Sequence, residues 1–272
     1  MKQRLRFHTS LLLVLLSACD SAPVDLRHTV YGQSEPDRGC MNLRSENSLE
    51  VPPSPQAPGY SLRAPANFDP LRRHPLLVVF PAAGQTSRQS EAFTQFTAPA
   101  TARGLIVLYP AHRQLSLPQL DRLAGLVADV ATNWCVDSSR IFFTGHSDGG
   151  TVAQVLTQKQ TSAVAPAKIA PSAAGVRAED LDALGCHTRI PVMLMHNEDD
   201  ELFPAFGRSA RDWWLACNAC EQDKPKVESG CETYRSCTMN ASLRYCESSG
   251  GHRKWSQARE QILDFLLGSQ AS

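Results

Sequence analysis

Short apolar runs recur along the chain, each followed by a segment with helical spacing, and this alternation constrains the fold more than any other feature. The runs are "PLLVVF" (75–80), "LIVLYP" (105–110), "RIFFTG" (140–145), "PVMLMHN" (191–197) and "ASLRYC" (241–246). Each has strand length, and several lack polar alternation, as expected of strands buried on both faces. Helix-like segments follow at 90–103, 117–134, 149–160, 205–217 and 256–267. In the second of these, Leu120, Leu123, Leu126, Val127 and Val130 share one face. Strands alternating with helices predict an α/β domain: a mostly parallel central sheet with helices on both faces.

The 272 residues leave room for one large domain. It is expected over 59–272, after an irregular leader over 19–58 that ends in the proline-rich "VPPSPQAPG". Residues 1–18 read as an export signal: Lys2, Arg4 and Arg6 precede the short apolar run from Leu11 to Leu16. The sequence then passes through "LSAC" to Cys19, which resembles the lipobox of bacterial lipoproteins. That resemblance implies acylation of Cys19 and a lipid anchor on the periplasmic or extracellular side of the cell envelope. Without the three basic residues of the signal, 24 Lys+Arg face 27 Asp+Glu, a net charge near −3. Nucleic-acid binding needs a basic surface, and this balance argues against it.

Cys40, Cys135, Cys186, Cys217, Cys220, Cys231, Cys237 and Cys246 remain, an even number in an exported chain. Disulfides are therefore expected over zinc ligation, since Cys217-Asn-Ala-Cys220 has no second C-x-x-C partner. Eight cysteines allow 105 connectivities, and spacing does not choose among them.

One run ends in chemistry. "RIFFTGHSDGG" (140–150) joins a strand to Gly145-His146-Ser147-Asp148-Gly149, a G-x-S-x-G arrangement. The pattern alone arises by chance in roughly one chain in ten of this length. Between a strand and a helix, however, it sits where a nucleophile elbow belongs, and the small Gly145, Gly149 and Gly150 suit so sharp a turn. A serine hydroxyl needs a base, and the elbow order is serine, acid, histidine. Glu198-Asp199-Asp200-Glu201 follows the fourth run and could otherwise be a solvated loop or a calcium site; His252 follows the fifth in "ESSGGHRKW". His146 points away if Ser147 points out, and the remaining histidines lie before the acid or in other loops.

These residues resemble the polyhydroxybutyrate depolymerase-like and feruloyl-esterase-like branch of the α/β-hydrolases, from about Gly59 to Leu267. The segments that carry the likeness are "VDSSRIFFTGHSDGG", "PVMLMHNEDDELFP" and "GGH". The resemblance implies a carboxylic-ester hydrolase with Ser147 as nucleophile, Asp200 as acid and His252 as base. No cofactor or metal is implied; the substrate would be a feruloyl, acetyl or hydroxyalkanoate ester, linked to a polysaccharide or polyester. Laying His196 and Pro204 on the ends of the family's acid segment selects Asp200 over Asp199. It also implies a Cys220–Cys237 bridge, and oxyanion donors on the backbone of Ala83 and Asp148.

Two departures stand out. Pro81-Ala82-Ala83-Gly84-Gln85 replaces the family's usual H-G-C-x-Q segment, and a left-handed backbone at Ala82 would cost about 1–2 kcal/mol more than with glycine. Trp255 lies three residues after His252, where the family usually has two, and is either pocket wall or core. Two rival functions remain open: a serine peptidase of the prolyl-oligopeptidase kind, and a non-catalytic envelope lipoprotein that keeps the scaffold.

Overall fold

A computed structural model describes residue 40 and residues 46–159, 164–221, 225–255 and 259–268. The expected signal peptide, Cys19 and most of the leader lie outside the described residues. All the described residues belong to the unit that runs from Pro36 onward.

Six strands run parallel at the centre: β3 (His74–Phe80), β4 (Ile106–Pro110), β5 (Val136–His146), β6 (Lys168–Ser172), β7 (Val192–Asn197) and β10 (Leu243–Ser248). Two antiparallel strands extend each edge: β1 (Ser48–Val51) and β2 (Tyr60–Arg63) beyond β4, β9 (Cys231–Tyr234) and β8 (Lys226–Glu228) beyond β10. The order across the sheet is β1-β2-β4-β3-β5-β6-β7-β10-β9-β8. Alternation along β3 shows why its run is continuously apolar. Leu76, Val78 and Phe80 enter one core with side chains from α3 (Leu117–Asn133), α4 (Asp148–Gln158) and α6 (Phe206–Cys217). Leu77 and Val79 enter a second core with α2 (Thr97–Ala102) and α7 (Arg259–Leu267). Both faces are covered, as a parallel sheet requires.

The structure departs from expectation at several places. The expected helix over 90–103 is two, α1 (Ser87–Thr94) and α2, because Gln95 adopts a left-handed conformation, φ 55°, and Phe96 is buried. The leader is not irregular throughout, since Ser48–Val51 forms the edge strand β1. β6 is a central strand that contains Pro171, which donates no ladder hydrogen bond. The β8–β9 hairpin turns on Ser229 and Gly230, both with positive φ, as a two-residue turn of the inverted type demands. A short helix, α5 (Ala178–Asp182), lies between β6 and β7.

All eight cysteines expected in disulfides are paired: Cys40–Cys135, Cys186–Cys217, Cys220–Cys237 and Cys231–Cys246. The bridge implied by the resemblance is among them. The first ties the leader to the start of β5, and the other three gather around the carboxyl end of α6 and the β8–β9–β10 edge. Four bridges suit folding in an oxidising compartment. Among the described residues, no helix is long and apolar enough to cross a membrane.

Candidate active site

Ser147, Asp200 and His252 leave the carboxyl ends of β5, β7 and β10, and the parallel sheet brings those ends to one rim. Ser147 is the turn residue between β5 and α4, with φ 56° and ψ −119°. No L-residue adopts this backbone without strain, and such strain is characteristic of functional turns. Neighbouring glycines make the turn possible. A Cβ on Gly145 would lie 2.6 Å from the Phe80 carbonyl oxygen, and one on Gly150 would lie 2.5 Å from that of Ser172. On Gly149 the corresponding gap to Phe80 is 2.1 Å. The Ser147 N–H donates to the Ser172 carbonyl at 3.0 Å, which fixes the elbow against β6.

His252 Nδ1–H donates to Asp200 Oδ2 at 2.8 Å, and Ser147 Oγ donates to His252 Nε2 at 2.9 Å. All three residues are buried, Ser147 being the most open at 9% exposure. Asp200 Oδ1 accepts the backbone N–H groups of Leu202 and Phe203 at 3.0 and 2.8 Å. Burial alone would raise this carboxyl. The His252 bond, the Phe203 N–H and the imidazoles of His252 and His196 outweigh it, and hold Asp200 below the ordinary carboxylate value. It is thus a buried carboxylate with its oxygens satisfied, able to fix the imidazole tautomer.

Asp199 and Glu201, which the sequence leaves as loop charges, hold the histidine loop. Asp199 Oδ1 accepts Gly250 N–H at 2.6 Å and Gly251 N–H at 2.9 Å, and Glu201 Oε2 accepts the N–H of His252 itself at 2.9 Å. The backbone donors from Gly251 and Gly250 lower the Asp199 carboxyl, and the one from His252 lowers Glu201. The Asn197 side-chain amide adds a bond to the Gly251 carbonyl at 2.7 Å. In the sequence, the only signal for this clamp is an acidic run some fifty residues before a Gly-Gly-His turn.

His146 does turn inward, yet it is part of the assembly. Its Nε2–H donates to the His252 carbonyl at 2.8 Å, its Nδ1 lies 3.2 Å from Ser172 Oγ, and its ring is 5.4 Å from that of His252. Burial pushes this imidazole down to about 4, so it is neutral at pH 7. Trp255 is core: it is buried against Phe93, Phe96 and His146.

Phe80 pairs with Gly145, so the loop leaving β3 lies beside the elbow. Within that loop Ala82 N–H donates to Gln85 Oε1 at 3.2 Å, and Gln85 N–H returns to the Ala82 carbonyl at 3.1 Å. The left-handed position is Gly84, φ 74°, and Ala82 is not among the residues with positive φ. The strain considered for Ala82 therefore does not arise. Among the described residues, the N–H groups of Ala83 and Asp148 have no acceptor, and Asp148 opens α4, where the helix dipole favours negative charge. His112, to which its place in the sequence assigns no role, joins both loops: its N–H donates to the Gln85 carbonyl at 2.9 Å, and its Nε2 lies 3.0 Å from Asp148 Oδ2.

No protein-family model and no curated protein matches the sequence. Solved structures match it by shape. The chain is similar to an acetyl xylan esterase from Aspergillus awamori (TM-score 0.62, 15% identity, 81% of this chain and 100% of that one). It is also similar to a truncated carbohydrate esterase from gut microbiota (TM-score 0.59, 11% identity, 86% and 98%). A third match is S-formylglutathione hydrolase (FrmB) from Staphylococcus aureus (TM-score 0.56, 14% identity, 80% and 97%). At these identities the likeness is one of architecture, and with the sheet order and the elbow it establishes the α/β-hydrolase fold.

Proposed function

We propose that the protein is a serine carboxylic-ester hydrolase. The observation that carries the reading is the unbroken hydrogen-bond line from Ser147 Oγ through the His252 imidazole to Asp200, built from residues 52 and 105 positions apart. Ser147 attacks the ester carbonyl as His252 Nε2 takes its proton. The imidazolium so formed is stabilised by Asp200, then protonates the departing alcohol. The N–H groups of Ala83 and Asp148 are assigned to the oxyanion of the tetrahedral intermediate, where losing one donor costs about a hundred- to a thousandfold in rate. Water, activated by the same histidine, releases the acyl group from Ser147.

The acyl group is assigned to the acetyl, feruloyl or hydroxyalkanoate class, carried on a polysaccharide or polyester; the xylan and carbohydrate esterases among the structures of like shape support the carbohydrate-linked member of this set. Export, with a lipid anchor on Cys19, is supported by the signal-like amino end and by the four bridges. A fluorophosphonate probe should label the wild-type protein and leave Ser147→Ala unlabelled; a folded wild type that takes no label would favour a non-catalytic scaffold. Turnover of peptide p-nitroanilides but not p-nitrophenyl acyl esters would instead favour a peptidase. Palmitate incorporation lost in Cys19→Ala tests the anchor separately.

A further inference from the structure

A recess lies at the opposite end of the sheet from the triad. Its volume is about 440 Å³, within the range of about 300–1,000 Å³ common for small-molecule sites. It sits where β6 and β10 begin, beneath α7 and beside the β8–β9 hairpin, and Lys168, Lys226, Arg235 and Arg244 line it. Two acids share the lining, but each is engaged: Glu228 with Lys226 at 3.0 Å, and Asp264 with Arg103 at 3.0 Å.

Lys168, Arg235 and Arg244 form no close ion pair among the described residues, although the charges of Arg244 and Arg235 help Lys226 hold the Glu228 carboxyl below its ordinary value. Lys168 Nζ donates to the Phe265 carbonyl at 2.8 Å near the end of α7, and its burial lowers the ammonium below its ordinary value. Arg244, in β10, is half-buried. Among the described residues its Nε is buried with no hydrogen-bond partner, as are side-chain atoms of Ser90, Arg103, Gln119, Asn218 and Trp255. A guanidinium fork is matched best by a planar carboxylate or a phosphate. Ser229, Ser242 and Gln261 supply hydroxyl and amide groups around it, and Phe265 is the aromatic surface.

We propose that this recess is a binding subsite for an oxyanion carried on a hydroxylated scaffold of sugar size, with Arg244 and Arg235 as its principal anchors. The ligand class is a sugar acid or a sugar phosphate, free or as a unit of a polymer. The subsite is separate from the triad: it lies at the amino ends of strands whose carboxyl ends carry the catalytic residues. It does not depend on the hydrolase reading.

Calorimetric titration of the protein with glucuronate, glucose 6-phosphate, glucose and inorganic phosphate tests this. The two sugar anions should bind, glucose should not, and inorganic phosphate should bind at least tenfold more weakly than glucose 6-phosphate. Arg244→Gln should lose at least tenfold in affinity, with Arg244→Lys intermediate, while p-nitrophenyl acetate turnover stays within twofold. Arg235→Gln, at an exposed position, provides the same comparison should the Arg244 variant not fold. Absence of binding by both sugar anions, equal binding of glucose, or unchanged affinity in these variants would overturn the proposal. Phosphate binding as tightly as the sugar phosphate would remove its saccharide part. Anion binding without ester turnover would leave this inference standing and refute the hydrolase reading.

Discussion

Gly149→Ala is the smallest change that should separate the catalytic groups without touching any of them. A Cβ at Gly149 would stand 2.1 Å from the Phe80 carbonyl oxygen, 2.7 Å from its carbon and 3.0 Å from the Pro81 carbonyl oxygen. Ordinary contact begins near 3.4 Å, so α4 and the end of β3 must part by about 1.3 Å. All three obstacles are backbone, so no side chain can rotate out of the way. Overpacking of this kind destabilises by about 1–3 kcal/mol, or roughly 2–12 °C in Tm for a domain of this size. The same displacement moves Ser147 and the Asp148 N–H away from Ala83, and misplacement by about 1 Å costs about a hundredfold in rate. The comparison is Gly125→Ala in α3, where a Cβ meets nothing within 4 Å. There the substitution should stabilise by about 0.4–1 kcal/mol and leave turnover unchanged. Thermal melts and p-nitrophenyl acetate kinetics on both variants decide the matter. A Gly149→Ala protein with wild-type Tm and kcat/KM within twofold would refute the close-approach argument for the elbow.

Asp200→Asn should keep the fold and lower kcat by about 10⁴, measured on the same ester, because an amide favours the wrong imidazole tautomer. His146 titrates near 4 when folded against 6.5 when free, so its contribution is present above pH 6.5 and lost as pH falls toward 4. That loss amounts to about 3 kcal/mol, which His146→Phe should remove from a Tm-against-pH curve. Asp199 and Glu201 act lower. Both carboxyls are depressed from 3.8 and 4.5, so their hold on the histidine loop persists above those values and fails as pH drops through the folded ones. Asp199→Asn with Glu201→Gln keeps acceptor oxygens and removes the titration, and should flatten the fall of Tm below about pH 4. Opening the 15-residue Cys231–Cys246 link by serine substitution should destabilise the β9–β10 edge by about 3 kcal/mol, read as denaturant midpoint.

The central strands were legible because burial on both faces writes a continuous apolar run, as in Leu76 to Phe80. Where that rule fails, a strand goes unseen. Lys168-Ile-Ala-Pro-Ser172 holds a lysine and a proline within five residues, yet it occupies the middle of the sheet. It pairs with β7 at Ile169 and Ser172, on either side of Pro171, so neighbours carry the strand past the missing donor. The edge strands were harder still. β8 is exposed throughout and has no apolar pattern to show, and its turn at Ser229-Gly230 was the one local clue.

At the site, the residues legible from sequence are those defined by position at a strand's end. Ser147, Asp200 and His252 each follow an apolar run, and chain order sorts them into nucleophile, acid and base. Most of the residues missed act on backbone atoms, and backbone positions are set by strand pairing that no local pattern states. Glu247 pairs with His196 and Ser248 with Asn197, which brings the loop after β7 alongside the loop after β10. Only then can Asp199 and Glu201 reach Gly250, Gly251 and His252, and only the β5–β6 register, Gly145 on Pro171 and His146 on Ser172, sets the His146 ring against Ser172 and His252. Asp199, Glu201 and His146 Nε2 each meet a backbone group common to all residues, so these partners leave no mark in composition. The acidic run 199–201 is therefore better understood as one buried carboxylate facing the imidazole and two exposed ones holding the turn that presents it.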